Sequence, residues 1–510
     1  MRPARPQARP LSGLGQLLFG SSPNEPGRIT GVTHDSRRVA PGDLYVALPG
    51  TQAHGAAFSA AAAEAGAVAI LTDPVGRDRA ARTGLPVFVV RSPREILGKV
   101  ACWVHSDPST RLTLIGVTGT SGKSTSTYLI EAGLRAAGHV TGLIGGVTLR
   151  IGPREEPAGL TTPEATDLQA LFATMAERGV TAAAMEVSSH ALALGRVAGT
   201  RFDVAVFTNL SQDHLDFHPT MEDYFEAKAQ LFTPAYSALG VVNIGDEWGR
   251  RLASVASVPV TTFAVQARIE DQPAIEDQPD WAAVDVRSGA DGSSFRVIGP
   301  GGVEADATVS LPGAFNVANA LGAIVALVEA GVRLEDAVAG IAACPGVPGR
   351  LQRVPGGPPD VFVDYAHKPG AVEAVLRALR EVTQGNLIIV LGCGGDRDRA
   401  KRPMMGAAAV SLADTAVLTS DNPRSEDPLA ILSAMLEGVL TVPPGERARV
   451  VVEPDRAAAI NYAIGMADKG DVVVVAGKGH ERGQYVAGTV LPFDDSEVAG
   501  AALRAREDKL

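Results

Sequence analysis

The chain has 510 residues, with 46 Lys and Arg against 57 Asp and Glu for a net charge of −11; 45% of its residues are hydrophobic and 5% aromatic. At roughly 100–200 residues per domain, that length is too great for one small module and suits about three domains, each with its own core. The acidic balance, without a basic stripe or interleaved aromatics, argues against broad capture of nucleic acid or an anionic membrane and leaves local basic pockets for small anions.

Residues 1–10 are rich in Arg and Pro, and no apolar stretch with a cleavage site follows, so they read as a frayed tail. No window reaches the ~18 uninterrupted apolar residues of a membrane span, and a cytoplasmic location is expected. Cys102, Cys344 and Cys393 are odd in number and far apart, as reduced, buried thiols are. From about 29 to 106, strand-like runs at 43–48, 68–71 and 86–90 alternate with one Ala-rich helical stretch at 56–65, a small α/β domain. The apolar run 112–117 then passes through a glycine-rich turn into a helix over 124–137, and further strands at 182–187 and 204–209 make a parallel sheet with helices on both faces the economical reading. The near-duplicated hexads IEDQPA and IEDQPD at 269–280 are acidic and Pro-containing, an exposed loop insertion. A helix is expected over 314–330 and a Pro/Gly hinge at 344–350, CPGVPGR. Beyond it, strands at 361–364, 387–392, 415–419 and 472–476 are separated by helical stretches such as 371–382. The expected fold is α/β in three domains: 1–107, a central P-loop domain with a mainly parallel sheet at 108–345, and a Rossmann-like domain at 346–510.

The segment GVTGTSGKST at 116–125 carries the first clear chemistry. Gly119 and Gly122 allow a tight turn whose N–H groups face phosphate oxygens, Lys123 adds positive charge, and the Ser124 hydroxyl can ligate Mg²⁺ at the start of a helix. The residue five before Gly122 is Val117, so the motif is the shorter GTxGK[ST] form. Gly119, Thr120, Ser121, Gly122, Lys123, Ser124 and Thr125 are the candidate ATP loop. Such a loop alone leaves motors, GTPases, kinases and ligases open.

Further motifs narrow the class. THDSR (33–37), LTTPEA (160–165), MEVSSH (185–190), NLSQDHLDFH (209–218), YFEAK (224–228), LPGAFNVANA (311–320), VPGR (347–350), VDYAHKP (363–369), GCGGDRD (392–398), DNPR (421–424) and GKGHE (477–481) follow the phosphate loop or precede it in an order that resembles the Mur ligase family over nearly the whole chain. The resemblance implies an N-terminal domain for the UDP end of a UDP-N-acetylmuramoyl dipeptide, a central ATPase domain and a C-terminal domain for an incoming amino acid. It implies ATP-dependent amide formation: phosphorylating a carboxylate gives it a good leaving group before an amine attacks. Lys123, Glu186, His214 and Lys228 are then the catalytic candidates. Ser124 and Glu186 would serve one Mg²⁺; His214 and Lys228, the latter as a CO₂-derived carbamate, would serve a second. Asn316 resembles an adenine contact, with an N-terminal helix cap an equal alternative. Arg350 resembles a phosphate contact, and Asp364 and His367 match nucleotide-site positions. For the UDP substrate the resemblance points to Ser36, Thr51, Gln52, Ala53, Thr161, Thr162, Ser188 and Arg196. Two departures stand out: Leu194 where many relatives carry Gln, and Lys368 where Thr is commoner.

For the amino acid, Asp421, Asn422, Pro423 and Arg424 match the specificity loop. Arg424 and Arg397 offer planar forks for a carboxylate, which suits meso-diaminopimelate over lysine or ornithine because only the former has a second carboxylate. Gly477 and Glu481 would meet its distal end, the glutamate facing the ammonium. The competing reading of Arg424 is a surface ion pair with Glu426 or Asp427. L-Lysine- or L-ornithine-adding ligases, folylpolyglutamate synthase and a P-loop ATPase without ligase activity are the rival functions. A monomer with small-molecule substrates is expected.

Overall fold

The structure is a computed structural model that describes residues 2–21, 25–266 and 278–507; most of the near-duplicated acidic segment, 267–277, lies outside them. The first sheet consists of the parallel strands Gly31–Thr33, Asp43–Ala47, Ala69–Thr72 and Val87–Val89. Its middle strands are buried along their whole length, which is why they read as continuous apolar runs without alternation. The Ala-rich stretch divides into the 3₁₀ turn Gly55–Phe58 and the helix Ser59–Glu64, and it is joined by helices Leu11–Phe19, Arg77–Ala81 and Pro93–Val104. The N-terminal residues are not frayed: Arg9–Pro10 pairs antiparallel with Arg28–Ile29, Arg2 grips the buried Asp43 carboxylate through two bonds of 2.6 Å, and the N–H groups of Ala4 and Arg5 donate to Glu177. Charge complementarity orders a segment that has no apolar anchor.

Among the described residues the second sheet has eleven strands. Its centre is the P-loop strand Thr113–Thr118, parallel to Ala182–Glu186 on one side and Phe202–Phe207 on the other. Parallel pairing continues to Thr141–Ile144 in one direction and through Ser237–Asn243, Val260–Val265 and Trp281–Gly289 in the other. The expected parallel sheet is therefore present, but each edge carries antiparallel additions: Thr148–Ile151 with Arg154–Pro157, and Gly292–Gly299 with Val303–Val309. Short turns can join antiparallel neighbours, whereas each parallel step needs a crossover. The helices Lys123–Ala136 and Ala314–Glu329 cover one face of the sheet. They approach so closely that a Cβ on Gly133 would lie 2.2 Å from Leu327 Cδ1.

The third sheet runs in the order Gln352–Arg353, Asp360–Asp364, Val472–Ala476, Leu387–Leu391, Thr415–Leu418 and Arg449–Val452; all pairings are parallel except the first. A hairpin, Gly483–Val486 with Thr489–Pro492, stands beside it. One apolar cluster continues from Ile115 and Val317 in the second unit to Phe362 and Leu376 in the third. The strand and helix that flank the glycine-rich turn and the third unit are thereby packed on a common core. Among the described residues no helix is long and apolar enough to cross a membrane, and the three cysteines are free and buried.

Candidate active site

The phosphate loop leaves the C-terminal end of its strand, where ligands of open parallel sheets bind. Gly119 and Gly122 have φ of 149° and 89°; a Cβ on them would stand 1.9 Å from Thr208 Oγ1 and 2.3 Å from Asn319 Oδ1. Both backbone conformation and space thus demand glycine. Register puts Glu186 beside Val117, so its carboxylate emerges next to the helix start: Oε1 accepts from Ser124 Oγ and from the Gly146 N–H, each at 2.9 Å.

Two lysines share one carbonyl. Lys123 Nζ donates to the Gly119 and Thr120 carbonyls at 2.8 and 3.0 Å, and Lys228 Nζ donates to the same Gly119 carbonyl at 2.8 Å. Lys228 is held there by the helix Met221–Ala229, whose first turn is closed by a reciprocal cap between Thr220 and Asp223. Burial pushes Lys123 down to about 8; burial and then the neighbouring Lys123 charge push Lys228 well below the usual lysine range. His214, with φ of 54°, lies 3.1 Å from Asp213 and is lowered by burial to about 4, which leaves a neutral imidazole. Tyr224 lies between these groups: its ring is 4.7 Å from Lys228 Nζ and 5.9 Å from the His214 ring, and its hydroxyl meets Thr120 at 3.1 Å.

Among the described residues no three His, Cys, Asp or Glu converge on one point as a self-sufficient metal site. The contacting Ser124 hydroxyl and Glu186 carboxylate nonetheless fit Mg²⁺, a hard cation that takes oxygen ligands and commonly completes its shell with phosphate oxygens and water.

Asn316 is buried three positions into its helix and donates to the Pro312 carbonyl at 2.9 Å, while Gly313 occupies the cap, so the capping alternative is removed. Arg350 lies 4.4 Å over the Tyr365 ring. Asp364 braces the loops on either side by accepting from the N–H groups of Leu351 and Ala366, both at 2.7 Å, and burial raises its carboxyl. His367 is lowered to about 3, again by burial first, and its Nδ1 meets the Tyr365 carbonyl at 2.8 Å. Lys368, the departure noted in the sequence, forms an ion pair with Asp213 beside His214.

Of the UDP-substrate candidates, Thr162, Ser188 and Arg196 come together. Thr162 Oγ1 donates to the Glu186 carbonyl and accepts from the Ser188 N–H, and Arg196 reaches the Thr162 carbonyl at 3.4 Å and lies 2.9 Å from Glu164. Thr161 is half-buried on the same loop and faces Gly146. Ser36 is half-buried in the 3₁₀ turn Ser36–Arg38, whose neighbours His34 and Arg38 contact Thr166 and Asp167. Thr51, Gln52 and Ala53 are exposed, and among the described residues no hydrogen bond joins them to the others.

In the third unit, Arg424 pairs with neither Glu426 nor Asp427. Glu426 pairs with Arg402 and Arg399; the Arg402 hydrogen bonds first and then the Asp396 N–H hold its carboxyl at about 2, and Asp427 caps the helix Pro428–Val439. Arg424 instead donates to the Gly395 carbonyl at 2.7 Å, and a Cβ on Gly394 would touch both its guanidinium and the Arg397 stem, at 3.0 and 3.7 Å. The two arginines are therefore neighbours. Arg424 has φ of 53° and is held by the hairpin, its N–H donating to Tyr485 and its carbonyl accepting from Ala487. Pro423 and Asp421 are buried, with Asp421 facing Gly477 and Asn422 donating to Glu481 at 2.8 Å.

Sequence reasoning assigned no role to Tyr224, Asn319 or Tyr365. Asn319 lies one turn beyond Asn316, and Tyr224 one turn before Lys228, so helical spacing was the available signal.

A glycine-rich turn set against a Ser–Glu pair that suits Mg²⁺, with Arg424 and Arg397 gathered on a separate α/β unit, is the arrangement of a nucleotide-using enzyme. The sequence matches the Mur ligase family catalytic domain over 28–103, the Mur ligase middle domain over 117–327 and the Mur ligase glutamate ligase domain over 349–479. It is 58% identical over 504 residues, covering 99% of this chain and 98% of the relative, to the UDP-N-acetylmuramoyl-L-alanyl-D-glutamate–2,6-diaminopimelate ligase of Streptomyces avermitilis. It is 46% identical to the Corynebacterium glutamicum protein of the same name, covering 96% and 95% of the two chains. A solved structure with that name is similar at a TM-score of 0.69 and 32% identity, covering 96% and 97%. The chain belongs to the Mur ligase family and is a ligase.

Proposed function

We propose that this ligase adds meso-2,6-diaminopimelate to the D-glutamate γ-carboxylate of UDP-N-acetylmuramoyl-L-alanyl-D-glutamate with ATP, a step of peptidoglycan precursor synthesis. The observation that carries the choice of amino acid is Arg424: Glu426 is paired with Arg402 and Asp427 caps a helix, and its guanidinium lies near the Arg397 stem with donors left for a distal carboxylate. Agreement with the similar proteins' names supports the same reading.

The phosphate-loop N–H groups and Lys123 hold the ATP phosphates. Ser124 and Glu186 would hold one Mg²⁺, and His214 with a carbamate on Lys228 a second; bound Mg²⁺ would offset charge on the transferred phosphoryl group. Lys228 suits carbamate formation because its buried amine is held toward the neutral, nucleophilic form. The acceptor carboxylate forms a bond to the γ-phosphorus as ADP leaves. The amine then attacks the acyl carbon, and inorganic phosphate leaves. Asn316, Arg350, Asp364 and His367 complete the nucleotide side. Ser36, Thr51, Gln52, Ala53, Thr161, Thr162, Ser188 and Arg196 take the UDP substrate. Arg397, Asp421, Asn422, Pro423, Arg424, Gly477 and Glu481 take the amino acid. We assign these roles to units 1–107, 108–345 and 346–510 of a cytoplasmic monomer.

The test offers diaminopimelate, L-lysine and L-ornithine separately with ATP and the UDP dipeptide. Diaminopimelate should be strongly preferred; preference for a diamine without the second carboxylate overturns the specificity. Phosphate release that persists with either acceptor omitted would point to a plain ATPase.

A further inference from the structure

Lys478, the lysine of GKGHE, has a fully buried side chain and lies between Gly477 and Glu481. A buried ammonium is costly unless its donors are matched. Here they are: Nζ donates to Asn422 Oδ1 at 2.9 Å, to Glu481 Oε2 at 3.1 Å and to the Gly483 carbonyl at 2.7 Å.

This arrangement fixes the geometry of its neighbours. An ammonium has no acceptor, so Asn422 must turn its oxygen toward Lys478. The Tyr485 N–H, also donor-only, meets the same Oδ1 at 3.0 Å and enforces that choice. The Asn422 amide nitrogen is thereby aimed at Glu481 Oε2, 2.8 Å away. Both donors converge on one carboxylate oxygen, and among the described residues none reaches Oε1, while the Glu481 side chain stays 31% exposed.

We propose that Lys478 is a positioning residue that pins Oε2 of Glu481, directly and through Asn422, and so presents Oε1 to the ammonium of the incoming diamino acid. Its third bond secures the start of the hairpin whose Tyr485 and Ala487 hold Arg424. One buried cation therefore links the residue that meets the substrate's ammonium to the residue that meets its distal carboxylate. The proposal rests on the amino-acid-site reading above.

Steady-state kinetics of the full chain test it. Glu481→Gln should raise KM for diaminopimelate. Lys478→Met should raise the same KM by about tenfold or more, with KM for ATP and for the UDP dipeptide within about twofold of the parent. Lys478→Gln, which keeps a donor for Gly483 but no charge, is read in parallel with thermal melting, so that a misfolded Met variant does not decide the matter. In the Glu481→Gln background, Lys478→Gln, which keeps the donor for Gly483 and so the hairpin bond, should add less than about twofold, because the carboxylate it orients is gone. If Glu481→Gln raises KM while Lys478→Met and Lys478→Gln leave it unchanged, or if the effects simply multiply, the positioning role is overturned alone. If Glu481→Gln leaves KM unchanged, the amino-acid-site reading falls, and this proposal with it.

Discussion

Replacing Arg456 with Met tests how the loops proposed to take the amino acid are held. Arg456 and Asp495 both have side-chain exposures of 0% and meet through two hydrogen bonds of 2.7 Å. The other guanidinium contacts go to the carbonyls of Ala476 at 3.0 Å and Ser420 at 3.3 Å, the residues just before Gly477 and Asp421. Met keeps an unbranched apolar stem but leaves one buried carboxylate and two carbonyls without these partners. Breaking a buried pair from one side costs about 3–5 kcal/mol, and the orphaned carbonyls place this site toward the upper end. Urea unfolding should show the midpoint falling by that equivalent at unchanged slope. The double variant Arg456→Met, Asp495→Leu should regain most of the loss, since an apolar pair removes the stranded charge. KM for the amino acid should rise in the single variant while KM for ATP stays put. A loss under about 1 kcal/mol, or a double variant weaker than the single one, would refute the reasoning.

Gly119→Ala places a methyl 1.9 Å from Thr208 Oγ1 at φ of 149°, so ATP affinity measured by calorimetry should drop at least about tenfold, and trimming Thr208 to Ala should recover only part because the backbone strain remains. His105 is pushed down to about 4 by burial, below its unfolded value of about 6.5; the unfolded chain binds the extra proton first, so this group's stability is full above pH 6.5 and is lost as pH falls toward 4. That loss is ~3 kcal/mol, and His105→Phe should flatten the corresponding stretch of the stability profile in denaturant melts at stepped pH. Lys228→Ala should nearly abolish turnover, with partial rescue by added short carboxylic acids; an Ala variant with full activity would dismiss the carbamate.

Much of the candidate nucleotide site was legible because its parts are local. The phosphate loop needs glycine at two backbone positions and Lys and Ser directly after them, and Glu186 ends an adjacent strand, so one-dimensional spacing nearly suffices. The tail was misread because the partners of Arg2, Ala4 and Arg5 are Asp43 and Glu177, carboxylates that no local pattern connects to them. The antiparallel sheet edges were missed for a related reason. Arg154–Pro157 is exposed throughout and carries no apolar signal, and is a strand only through its pairing with Thr148–Ile151.

Local chemistry in the chain determined the α/β alternation, the glycine-rich turn and the kinds of functional group offered at the candidate sites, since strand periodicity, glycine freedom and functional-group type are properties of neighbouring residues. Tertiary structure decided which charges remain available. Glu426 is drawn to Arg402 and away from Arg424, Lys228 is buried beside Lys123, and Lys478 is enclosed by Asn422, Glu481 and Gly483. These outcomes depend on distance and on exclusion of water, and both arise only when segments far apart in the chain are packed together.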